Sequence, residues 1–160
     1  MCQRTAKRFE TLQEYTSEMI RCQVPVKRLD ETGLRIDAAN HWTHVMSTAV
    51  LTALRLGESR GDVDHGVSGI VVHEDFSSYF TLQDVTHAAC NVHHMRQLKT
   101  VAELDCEQWA KSMIRLLERA HWVWSYCRTN QRTVPQSLAM RLSTAWDSIL
   151  DTAIEYYEAL

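Results

Sequence analysis

At Cys90 the hydrophobic pattern of this 160-residue chain changes its period. Before it, from Val26 to Ala89, apolar residues come in short runs rich in β-branched side chains, with polar or glycine-bearing breaks between them. After it, Trp109, Met113, Leu116, Leu117, Ala120, Val123 and Trp124 recur as one wide stripe at helical spacing. Leu138, Leu142, Ala145, Trp146, Ile149, Ala153, Tyr156 and Leu160 form a second such stripe. Runs of the first kind make strands and stripes of the second kind make helices. The chain therefore reads as α/β, with its sheet before Cys90.

The boundaries follow from local signals. Phe9, Leu12, Tyr15, Met19 and Ile20 share one face of a helix over Thr5 to Gln23, and Val24-Pro25-Val26 stops it, because proline disfavours helix in the residue before it. Short strands are expected near residues 26–30, 34–37 with 41–47, and 49–56, then from Ile70 to His73 and from Thr86 to Ala89. "GESRGDVDHGVS" is a polar connection, and "CRTNQRTVP" separates the last two helices. Pro135 sits near the start of the final helix, where its missing donor costs nothing. The last stripe is still running at Leu160, so the sequence reads as ending inside a helix.

Bulk properties narrow the class. A length of 160 residues suits one domain with a sizeable core, and 45% hydrophobic with 23% charged residues is an ordinary globular balance. No apolar run approaches a membrane span and "MCQRTAKRFE" lacks the apolar stretch of a signal peptide, so no membrane partner is expected. Five scattered cysteines (Cys2, Cys22, Cys90, Cys106, Cys127) then read as free thiols in a reducing cytoplasm. The formal net charge of −3 gives no general electrostatic case for nucleic acid. Binding to DNA would need local basic patches or metal ions.

Chemistry concentrates in "GIVVHEDFSSYF", Gly69 to Phe80, where an apolar strand ends on Glu74 and Asp75. Two adjacent carboxylates at a strand end are either a solvated end or a metal-binding edge. The second reading requires another carboxylate, and Asp30 in "VKRLDETGLRI" supplies it at the end of the first expected strand. Carboxylates converging there could hold a pair of Mg²⁺ ions about 3.5–4 Å apart, the arrangement that activates a water or 3′-hydroxyl in phosphodiester chemistry. His87, Cys90, His93 and His94 fall within eight residues. One Cys-x2-His pair without a second pair speaks against zinc and for hydrogen bonding or support of a site. Arg96 and Lys99, one turn apart on a helix, either meet DNA phosphates or form a solvated face. Trp109, Trp122, Trp124 and Trp146 read mostly as core; helix faces left uncovered would favour self-association.

Six blocks occur in order: "PVKRLDETGLRI", "HWTHVMST", "SRGDV", "GIVVHEDFSSYF", "HAACNVHHMRQLK" and "WAKSMIRLLERA". From about Pro25 to Leu160 they resemble the catalytic core of bacterial insertion-sequence transposases of the sixty-six family. "LDETG" and "CNVHHMRQLK" are the most specific; the family usually reads Cys-Asn-Ala-His-His-Leu-Arg-Glu-Leu at the second, so Gln97 stands in place of a Glu.

The resemblance implies a ribonuclease-H-like mixed sheet with flanking helices and a C-terminal helical insertion. It also implies an Asp-Asp-Glu triad holding Mg²⁺ or Mn²⁺, and DNA as partner. Asp30 matches the first catalytic Asp, while Glu74 occupies the usual position of the second and Asp75 follows it. Cys90, His93 and His94 would support the site, and Arg96 and Lys99 would contact DNA. The stretch that carries the third acid, similar to Asn-Asn-x-Ala-Glu-Arg, does not occur before Leu160. The expected division is an N-terminal helix in 1–24, a partial core in 25–104 and a helical insertion in 105–160. The function implied is transposition by DNA-strand cleavage and transfer, in a chain incomplete and inactive as it stands. A non-catalytic regulatory remnant that binds DNA or protein is the alternative, and a zinc-stabilised interaction module is a third.

Overall fold

The computed structural model describes residues 2–104 and 107–159. Two compact units make up the chain, one up to Cys90 and one from Asn91 onward.

In the first unit, helix α1 (Cys2–Gln23) leads into strands β1 (Val26–Ile36), β2 (Ala39–Ser47), β3 (Thr52–Gly57), β4 (Gly69–His73) and β5 (Val85–Ala89). They form one sheet in the order β3-β2-β1-β4-β5. β2 runs antiparallel to both β1 and β3, while β4 runs parallel to β1 and to β5. This mixed five-stranded order, with α1 packed against β2 and β3, is the ribonuclease-H-like arrangement.

The first hairpin differs from the expected pieces. β1 is one strand of 11 residues, because β2 pairs with it without interruption from Arg28↔Ser47 to Ile36↔Ala39. Gly33 does not break it: Trp42 stands opposite, and a Cβ on Gly33 would sit 3.7 Å from its ring. The strands join through Asp37 and Ala38, both at positive φ (48° and 65°), which is how a two-residue turn matches the twist of its strands. Asp30 consequently lies in mid-strand rather than at a strand end, which corrects the sequence expectation. What ends near Asp30 is the neighbouring strand β4.

The core of this unit lies on one face of the sheet: Ile20, Leu29, Met46, Ala53, Val63, Val67, Val71, Tyr79 and Leu82. Only the last turns of α1 reach it. Ile20 is fully buried, whereas Phe9, Leu12 and Tyr15 are exposed, so the apolar stripe of α1 is not a buried face along its length. Arg21 pins the end of the helix, donating through Nε to Asp64 Oδ1 (3.0 Å) and through a terminal nitrogen to Asp64 Oδ2 (2.9 Å).

The second unit contains α2 (Asn91–Leu104), α3 (Gln108–Thr129) and α4 (Gln136–Glu158), with α3 packed against each of the others. Its buried residues are mainly small or slender: Ala102, Ala110, Met113, Val123, Cys127 and Ala153. Small side chains let helix axes approach, so a narrow seam is covered and the rest of each stripe is not. Trp122, Trp124 and Trp146 are accordingly exposed, against the expectation that most tryptophans are core. Trp109 meets Tyr157 edge to face across α3 and α4 (6.4 Å). Cys22, Cys90 and Cys127 are free thiols; Cys106 and Leu160 lie outside the described residues, as does the side chain of Cys2.

Candidate functional site

The parallel ladder between β1 and β4 ends at Arg28↔Val72. Two residues further along each segment stand Asp30 and Glu74, level with one another in that register, with Glu74 just past the end of β4. Side chains alternate across a strand, however. Leu29 faces the core and Glu31 shares its side, where it is opposite His44 of β2. Asp30 points to the other face and is exposed, its Oδ1 accepting the N–H of Glu31 (2.9 Å).

The carboxylate that engages Glu74 is therefore Glu31, whose side chain is only 1% exposed. Arg60, from the connection between β3 and β4, donates Nε to Glu31 Oε1 at 2.7 Å and a terminal nitrogen to Glu74 Oε1. Tyr79 donates its hydroxyl to the other oxygen of Glu31. The guanidinium lies 4.2 Å over the Phe76 ring and 5.5 Å over that of Trp42. One cation thus joins two acids while two aromatic faces hold it.

The two acids diverge electrostatically. Burial pushes the Glu31 carboxyl up, but hydrogen bonds with Tyr79, Glu74 and Arg60 outweigh it and hold the group below its ordinary value. Glu74 is pushed above its ordinary value, by burial first and then by Glu31, with Arg60 opposing. Tyr79 is raised by burial, by its bond to Glu31, and by the nearby charges of Glu31, Asp30 and Glu74. A hydroxyl surrounded this way stays protonated and acts as a donor.

Histidines fix the strand end. His73 is buried, with Nδ1 bonded to the carbonyl oxygen of Glu74 and Nε2 at 2.8 Å from His87 Nδ1. A carbonyl only accepts, so His73 donates from Nδ1 to Glu74 and its other ring nitrogen faces His87. Tyr79 stacks on His73 (4.8 Å) and Phe80 meets it edge-on (5.2 Å). Cys90 closes the same strand end by donating its N–H to the His73 carbonyl (2.9 Å).

The other expected residues lie as follows. Asp75 is exposed beside Glu74, and His93 and His94 are half-buried in the first turn of α2. Arg96 and Lys99 are exposed on α2 and line a groove whose opposite wall is Leu117, Glu118 and His121 of α3. Among the described residues, no three His, Cys, Asp or Glu side chains gather as a metal site requires. Sequence reasoning missed Glu31, Arg60 and Tyr79. Alternation from Leu29 could have found Glu31, and the "SRGDV" block contained Arg60, but no pattern linked Arg60 to an acid 29 residues away.

A family model described as Transposase IS66 family matches residues 1–155. The chain belongs to this transposase family. No curated protein and no solved structure matches it. Within this IS66-family transposase, the end of β4 is where Glu74 meets Glu31 of the neighbouring strand β1. No helix among the described residues of the transposase is long and apolar enough to cross a membrane.

Proposed function

We propose that this chain carries the acidic sheet edge of a DNA transposase and that, in the arrangement described, it does not cleave or join DNA by itself. The observation that supports this reading is the parallel pairing of β1 with β4 in a ribonuclease-H-like sheet, a register in which Asp30 and Glu74 stand level on neighbouring segments. The parent activity is nicking at the ends of a mobile element followed by attack of the freed 3′-hydroxyl on target DNA. Asp30, Glu74 and Asp75 are its acidic residues, Cys90, His93 and His94 support them, and Arg96 and Lys99 meet phosphates. In domain terms, we assign a helix in 1–24, a core in 25–104 and a helical insertion in 105–160, in a cytoplasmic protein.

Mg²⁺ or Mn²⁺ belongs to this reading through the family, yet the residues present do not fit a preformed site for it. The two carboxylates that meet, Glu31 and Glu74, are already bridged by a guanidinium, and Asp30 leaves from the opposite face. That supports an inactive or regulatory state over a competent one. Losing transition-state stabilisation of even ~4 kcal/mol slows a reaction roughly a thousandfold. The test is strand cleavage of DNA carrying the element's ends, with Mg²⁺ or Mn²⁺, comparing the chain with Asp30→Ala. We expect cleavage from neither. Cleavage by the unmodified chain that disappears in a folded Asp30→Ala variant overturns the inactive reading.

A further inference from the structure

The Glu31–Arg60–Glu74 bridge has an asymmetry that a purely structural ion pair does not need. Glu31 is sealed, with a side chain 1% exposed, and Glu74 is fixed through its own carbonyl by buried His73. The cation, in contrast, is 41% exposed and comes from a connection rather than from a strand. That connection is tied down on both sides of Arg60. The Ser59 carbonyl lies 3.1 Å from His44 Nε2, and Asp62 Oδ2 accepts from Arg55 at 2.7 Å. Of the three side chains in the bridge, the arginine is the one most open to solvent, while its backbone is anchored on both sides.

We propose that Arg60 is a resident counter-cation that closes the Glu31–Glu74 pair against divalent metal, an autoinhibitory contact within the fold. Two carboxylates facing each other from β1 and the end of β4 need a positive charge between them, because buried like charges repel strongly. A guanidinium supplies one charge and directional donors, and it takes up oxygens that a hard cation would otherwise ligate. Both cannot occupy the same oxygens. Metal entry therefore requires Arg60 to withdraw, and the acid that then becomes available is Glu31, which the spacing of Asp30, Glu74 and Asp75 did not include. The proposal rests on the transposase reading only in taking a divalent ion as the competitor.

The experiment is Mn²⁺ binding to the full chain by calorimetry and water-proton relaxation, so its outcome is independent of DNA cleavage. Arg60→Gln removes the charge and keeps a polar side chain over Phe76. We expect it to bind Mn²⁺ at least about tenfold more tightly than the unmodified chain, since one competing charge is gone. Adding Glu31→Gln to that variant should abolish the gain. Where the glutamine variant does not fold, as judged by circular dichroism, Arg60→Lys takes its place. A point charge bridges two carboxylates less well than a planar fork, so a smaller gain of about threefold is expected. Equal Mn²⁺ affinity with and without the substitution, or a gain that survives Glu31→Gln, overturns the proposal.

Discussion

Asp30 and Glu31 are consecutive in the chain and serve opposite faces of the sheet: Asp30 is exposed, and the Glu31 side chain is sealed among Arg60, Tyr79 and Glu74. Because β2 pairs with β1 on both sides of this point, no bulge can rotate one onto the face of the other. The difference in surroundings decides what each substitution costs.

Glu31→Gln should destabilise the fold by about 1–3 kcal/mol, since it weakens hydrogen bonds to a charged group in a buried setting. Asp30→Asn, at an exposed position, should stay within about 0.5 kcal/mol of the unmodified chain. Urea unfolding followed by circular dichroism separates the two. Equal losses would show that Asp30 carries as much of the fold as Glu31.

Acidification should reach the pair in a fixed order. Glu74 takes its proton above the ordinary value of 4.5, and Glu31 holds out below it. The signs differ accordingly. A carboxyl raised in the folded state adds stability as pH falls through its folded value towards 4.5, and that part is absent at neutral pH. A carboxyl lowered in the folded state contributes stability above 4.5 that is lost as pH falls through its folded value. Carboxyl carbon shifts followed by NMR give the order directly. A first protonation at Glu31 contradicts the arrangement.

Lys27 is buried on β1 with its ammonium donating to the Ser68 carbonyl, and burial lowers its pKa. In the window between the lowered folded value and the ordinary 10.5, the unfolded chain binds the extra proton, so stability should rise with pH there. Lys27→Met should remove that rise. Thermal melts between neutral and alkaline pH are the measurement, and identical slopes for the two proteins would rule the explanation out.

Gly69 starts β4 at φ +83°, where a Cβ would lie 2.7 Å from the Pro25 carbonyl oxygen. That oxygen accepts the N–H of Ile70 and so starts the β1–β4 pairing. Gly69→Ala should cost about 1–3 kcal/mol through backbone strain, and more than Gly66→Ala because of the added contact with Pro25. Gly66→Ala, at φ +97° with open space around it, isolates the strain from the clash. Gly69→Ala matching Gly66→Ala in stability would show that the close approach to Pro25 does not matter.

The order of short apolar runs, the break at Pro25 and the change of period at Cys90 determined the element types of this chain, because burying one face of a strand or helix imposes a period on the sequence. The ordered motif blocks likewise determined the family, and the run ending on Glu74-Asp75 marked where acids would gather. Tertiary structure alone decided which acids meet. Continuous pairing with β2 carried β1 past Asp30 and turned Glu31 inward, towards an arginine from a separate connection and a tyrosine from the turn after β4. Such a meeting depends on register and strand order, which set distances between residues far apart in sequence and leave no periodic trace in it. The stripes of α3 and α4 likewise marked helices without saying how much of each would be covered, since coverage depends on the width of the seam that Ala110, Met113 and Ala153 allow.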